Sequence, residues 1–154
     1  MGLDMYLYAL DDGDLDSFNK IKTILKETPD TEYSKEVTEL LEKFYDKEGD
    51  ALAYWRKANA IHKFFCDYGE VVDEHVYYII PRKLLVELLK KCMQVLIIKH
   101  ETYSEETLPT CGGFFFGSLE YNEFYYSYLE ETVNTLTKIL KEYKNDYFLY
   151  CASW

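Results

Sequence analysis

Apolar and polar residues alternate over positions 3–9 (LDMYLYA), with Leu3, Met5 and Leu7 on one side and Tyr6 and Tyr8 on the other, the period of a half-buried strand. Asp11 to Asp16 (DDGDLD) follows as a turn. Counted from Asp11 as a calcium loop, the required glycine falls on Asp16 and the required glutamate on Lys22, so the run reads as solvated acid. From Phe18 to Lys26, and again from Ser34 to Asp46, the apolar spacing lengthens to three and four residues. Ile21, Ile24 and Leu25, then Val37, Leu40, Leu41 and Phe44, predict two helices separated at Thr28-Pro29-Asp30. Asp50 is placed to cap a third helix, from about Ala51 to Asp67. Positions 75–80 (HVYYII) predict a strand, and Pro81 opens a helix from Arg82 to about Ile98, buried along Leu85, Leu88, Cys92, Val95 and Leu96. Ser118 is placed to cap a long helix reaching about Lys144, with Tyr125, Leu129, Val133, Leu136, Leu140 and Tyr143 on its apolar face. Asp146 to Trp154 (DYFLYCASW) predicts a closing strand. This order predicts a single α+β domain over 1–154, a small antiparallel sheet packed on one side by several helices, with an acidic helical elaboration at about 10–49.

A chain of 154 residues can bury about 70% of its unfolded surface, so neither metal nor disulfide is needed to hold it. Cys66, Cys92, Cys111 and Cys151 are widely spaced and read as small apolar side chains with free thiols. The 28 acidic against 17 basic residues leave a net charge of −11, which argues against duplex DNA and anionic membranes as partners. No apolar run reaches a bilayer-spanning length, and the N-terminus lacks the basic and apolar regions of a signal peptide, so a cytoplasmic location is expected. No nucleophile elbow, zinc-protease helix or P-loop is present, and no catalytic residue, metal or cofactor is assigned.

Two stretches carry candidate chemistry. In Tyr54 to Lys63 (YWRKANAIHK), a helix would turn Tyr54, Ala58, Ile61 and Phe65 to the core. Trp55, Asn59 and His62 would then line one edge, with Arg56, Asn59 and Lys63 along the next. An indole beside a guanidinium, an amide, an imidazole and an ammonium suits a nucleotide, with stacking for the base and charge-assisted hydrogen bonds for phosphate. In the alternative arrangement Trp55 anchors the core, His62 is a satisfied half-buried histidine, and Arg56 and Lys63 pair with surplus carboxylates. The second stretch contains Gly112, Gly113, Gly117 and Ser118 (GGFFFGS), whose backbone N–H groups and following helix N-terminus could meet an anion. Glu120 and Glu123 oppose that role, and the alternative is an apolar strand or hairpin punctuated by glycine.

Together MGLDMYLYA, YWRKANAIHKFF, LPT, GGFFFGS, EYNEFYY and the terminal Ser-Trp resemble a family of small accessory proteins of tailed bacteriophages and prophages. The resemblance covers most of the chain in blocks and implies a phage gene expressed in the bacterial cytoplasm. On that analogy the expected function is anti-defence: non-enzymatic sequestration of a small phosphorylated, nucleotide-like immune signal, with a homo-oligomer able to close the pocket. Two alternatives stay open. The 16 tyrosines and the acidic surface suit an inhibitor docked on a host nucleic-acid-binding defence protein. His62 as acid or base would suit a nucleotide-cleaving enzyme.

Overall fold

The computed structural model describes residues 2–27 and 50–154, together with positions 35, 38, 39, 42 and 43. Four strands form one antiparallel sheet: β1 (Asp4–Leu10), β2 (Ala53–Arg56), β3 (Tyr78–Pro81) and β4 (Tyr147–Ser153), in the order β2-β1-β4-β3. The described helices are α1 (Leu15–Glu27), α2 (Asn59–Gly69), α3 (Arg82–Ile98), α4 (Glu101–Thr107) and α5 (Glu123–Glu142). The expected α+β class therefore holds. The helix expected over Ser34 to Asp46 falls largely outside the described residues.

Alternation on the paired strands decides what each face of the sheet meets. Leu3, Met5, Leu7, Phe148, Tyr150 and Ala152 turn to one face, where they pack with Phe65 of α2, Leu85 and Leu88 of α3, and Leu129 and Leu136 of α5. Tyr150 and Phe65 stack with centroids 4.1 Å apart. Tyr8, Leu10 and Leu149 turn to the other face and close over Phe18 of α1. Helices packed on one side only were expected; both sides are covered, because Tyr6 and Tyr8 are apolar enough to bury against an amphipathic helix.

Arg82 fastens α3 to the end of α5. Its guanidinium donates to the carbonyl of Leu140, which the last turn of α5 leaves without an intrahelical donor, and to those of Tyr143 and Asn145 just beyond the helix.

Two boundary expectations are corrected. Ala51 to Asp67 is not one helix: Ala53–Arg56 is the edge strand β2, and α2 starts only at Asn59. Strand and helix spacing both fit this stretch locally. β1 settles the choice, because pairing Met5 with Trp55 and Asp4 with Arg56 satisfies main-chain groups along its second edge. Lys57, with φ at +56°, turns the chain between the two elements. Tyr54 was expected in the core and is instead half exposed, while Ala58, Ile61 and Phe65 are buried. Asp50 consequently caps no helix.

The second correction concerns Ser118. Its hydroxyl accepts from the Glu120 N–H and closes a local turn, and the helix begins at Glu123, where Asn122 accepts from the Tyr125 N–H. The helix also ends at Glu142 rather than about Lys144, and its buried face runs through Tyr125, Tyr128, Leu129, Thr132, Leu136 and Ile139.

Candidate functional site

The side chains expected along one helix edge are distributed over three separate environments. Trp55 and Arg56 belong to β2, and strand alternation sends them to opposite faces. Trp55 is only 4% exposed. Its Nε1–H donates to Thr132 Oγ1 of α5 at 2.9 Å, and the Thr132 hydroxyl in turn donates to the Tyr128 carbonyl. The indole is thus a core anchor with its polar edge satisfied.

Arg56 lies outside, with its side chain 57% exposed and Nη1 3.9 Å from Asp4 Oδ1. That carboxylate oxygen already accepts the Tyr54 hydroxyl at 2.5 Å, and this hydrogen bond, ahead of partial burial, raises the Tyr54 phenol above its ordinary range. Asp4 is therefore shared, and its hold on Arg56 is long.

Asn59 and His62 are interior groups. The Asn59 amide donates to the carbonyls of Phe116 at 3.1 Å and Ser118 at 2.9 Å, and its Oδ1 accepts from the Cys111 N–H at 3.2 Å. One buried amide thereby ties α2 to both ends of the glycine-rich loop.

His62 Nδ1 lies 2.8 Å from the Tyr150 hydroxyl, and Nε2 lies 3.4 Å from Cys66 Sγ. The neutral ring has one donor and one acceptor nitrogen, and a hydroxyl and a thiol stand opposite the two. Burial lowers the imidazole to about 4 and raises the Cys66 thiol to about 11, so both are uncharged at neutral pH. The cluster supplies packing and hydrogen bonding, and its sequence signal was the four-residue spacing of His62 and Cys66 on α2.

Lys63 takes a third position. Its Nζ pairs with Asp67 at 3.0 Å, beside a depression of about 100 Å³ formed with Glu106, Leu108 and Pro109. The alternative reading of this stretch thus describes the placement of Trp55 and Lys63, and that of Arg56 through its long pair with Asp4, while His62 is fully rather than half buried.

The Gly112 to Ser118 segment is an irregular loop, neither strand nor hairpin. Gly117 has φ at +91°, and a Cβ there would press on Lys57 at 3.2 Å. A Cβ on Gly113 would strike the Phe116 ring at 2.7 Å. These glycines are explained by chain geometry and packing, while Gly112 has room for a side chain, with only Leu119 nearby at 3.8 Å. Phe116 is buried, and Phe114 and Phe115 stand exposed at the tip.

What sequence reasoning missed is a cleft along the outer edge of β2. It has a volume of about 210 Å³ and is formed by Tyr54, Trp55, Arg56 and Ala58 on one side and Phe124, Ser127, Tyr128 and Glu131 of α5 on the other. Tyr54 and Phe124 are exposed rings, and the Phe124 ring meets Tyr128 edge-on at 5.6 Å. Arg56 was legible as a candidate, but its α5 neighbours carry no local signal because they meet β2 only through the fold. Among the described residues no cluster of three or more His, Cys, Asp or Glu is placed to hold a metal ion, and no helix is long and apolar enough to cross a membrane. Compared with protein-family models, with curated proteins and with solved structures, the chain matches none.

Proposed function

We propose that this protein is a non-enzymatic receptor for a small phosphorylated, nucleotide-like molecule, held at the β2–α5 cleft. The observation that carries the reading is the exposed Arg56 guanidinium at a concavity flanked by the exposed rings of Tyr54 and Phe124. Each wall has a counterpart in such a ligand. Arg56 offers a planar fork of donors to phosphate, the rings offer faces to a base, and Glu131 and Ser127 offer acceptors to sugar hydroxyl or amino groups. Glu131 would repel a phosphate placed beside it, which orients the anionic end toward Arg56.

A cleft of about 210 Å³ is smaller than the roughly 300–1,000 Å³ that encloses a drug-sized ligand, so it would take one ring system or one phosphoryl end. A second copy closing the open side would bury the remainder. In the phage setting implied by the sequence blocks, capture of this kind withholds a host immune signal without cleaving it.

The test is titration calorimetry against a panel of mono-, di- and cyclic nucleotides. Saturable binding is expected, with the ligand recovered chemically intact after heat release. Arg56→Ala should weaken it about tenfold or more with folding unchanged, the equivalent of one charge-assisted contact. Failure of every nucleotide to bind, or equal binding by Arg56→Ala, overturns the reading; recovery of an altered nucleotide replaces it with an enzymatic one.

A further inference from the structure

A second and larger concavity lies far along the chain from Arg56, between α1 and the segment leading into β3, and has a volume of about 550 Å³. That is the size of a small-molecule pocket, and its chemistry is amphipathic. Leu25 of α1 faces Val72, Val76 and the ring of Tyr78 across an apolar interior. Val72 stands at the mouth, 74% exposed. The far wall is held in place from within: the Tyr78 hydroxyl accepts from the N–H groups of both Val72 and Asp73, at 3.3 and 3.0 Å.

The rim is cationic in a chain of charge −11. Lys22 and Lys26 are one helical turn apart on α1, so both ammonium groups reach the same side of the opening. Lys22 Nζ sits 5.2 Å from the centroid of the Tyr78 ring, over the apolar floor. His75 lines the opposite wall, its Nε2 3.9 Å from Glu74 Oε2 and its backbone held at φ +58° with the N–H donated to the Ala152 carbonyl, so the positive charge of the rim comes from the two lysines. Among the described residues that form the cavity, Asp73 is the one carboxylate, against two lysines.

We infer that this cavity is a binding site for an amphipathic organic anion, an alkyl or aryl body carrying a single carboxylate, sulfonate or phosphate head. The body displaces water from Leu25, Val72, Val76 and the Tyr78 face, and the head lies between Lys22 and Lys26. The site is independent of the β2–α5 cleft and does not rest on its assignment.

Two fluorescent probes separate the parts of the claim: 8-anilino-1-naphthalenesulfonate, which has rings and one negative charge, and N-phenyl-1-naphthylamine, which has similar rings and none. The sulfonate is expected to bind one per chain and to be displaced by decanoate. The double variant Lys22→Glu, Lys26→Glu should lower its affinity about tenfold or more while leaving the neutral probe within about twofold. Val72→Trp, which fills the mouth of the cavity from an exposed position, should weaken both probes. Arg56→Ala should weaken neither. The inference is overturned if the sulfonate does not bind, if charge reversal affects the two probes equally, or if Val72→Trp leaves both unchanged in a variant whose circular dichroism matches the parent.

Discussion

Asn59→Leu is expected to destabilise the protein by about 3 kcal/mol and to loosen the glycine-rich loop specifically. The substitution conserves size but removes the partners of three backbone groups, the carbonyls of Phe116 and Ser118 and the Cys111 N–H. Each buried group left without a partner costs about 1–3 kcal/mol, and the more exposed Ser118 carbonyl recovers part of that by hydration. Asn59→Asp should do at least as much harm, because a buried carboxylate would face two carbonyl oxygens. Urea unfolding measures the loss. Limited chymotrypsin digestion reports on the loop, since the exposed Phe114 and Phe115 should be cut faster in the variant. A stability change below about 1 kcal/mol, or unchanged cleavage at Phe114 and Phe115, would show that Asn59 does not anchor this loop.

His62 is expected to make the fold acid-sensitive between pH 6.5 and 4. Its imidazole titrates at about 4 in the folded protein because burial penalises the charged form, against 6.5 for an ordinary histidine. The folded pKa is depressed, so the unfolded chain binds the proton first as pH falls. The stabilisation is complete above about pH 6.5 and is lost progressively down to about pH 4, at about 1.4 kcal/mol per pH unit and about 3 kcal/mol in all. Among the described residues that touch the ring none supplies a counter-charge: Tyr150 and Cys66 meet the ring nitrogens as neutral groups, and Phe116 and Trp154 pack against the ring. In His62→Gln this component should vanish, so that variant and parent approach one another in stability as the pH drops from 7 to 4. Carboxylate titrations elsewhere are common to both proteins and cancel in the difference. Parallel stability curves for the two proteins across this window would refute the assignment.

The elements most readable from the chain are those whose periodicity is long and unambiguous. α3 occupies Arg82–Ile98 as its apolar stripe and preceding proline require, and β1 and β4 lie within a residue or two of the alternating runs that announce them. α4, a seven-residue helix of largely polar residues, shows no stripe and was not anticipated. The start of α5 was missed because Ser118 and Asn122 are both competent caps, and a local turn took the serine.

The candidate site was legible in composition and misplaced in geometry. Tyr54 to Lys63 does contain the groups that organise this part of the molecule, yet an assumed helix put on one edge what the fold distributes among a cleft, the core and a surface ion pair. Trp55 illustrates the error. An indole next to a guanidinium suggests a stacking platform, but in a strand neighbouring side chains point to opposite faces, and the ring is drawn inward to Thr132.

Local spacing and residue type were enough to establish the α+β class, the acidic surface and the outer limits of the longest elements, because these depend on neighbours within a few positions. Strand pairing lies beyond that range. Whether Ala53–Arg56 coils or extends depends on the open edge of β1, some fifty residues earlier, and the free energy of completing that ladder outweighs any local preference. The cleft beside Arg56 and the cavity beneath Lys22 exist for the same reason: each joins segments that share no sequence neighbourhood and meet only when the core closes.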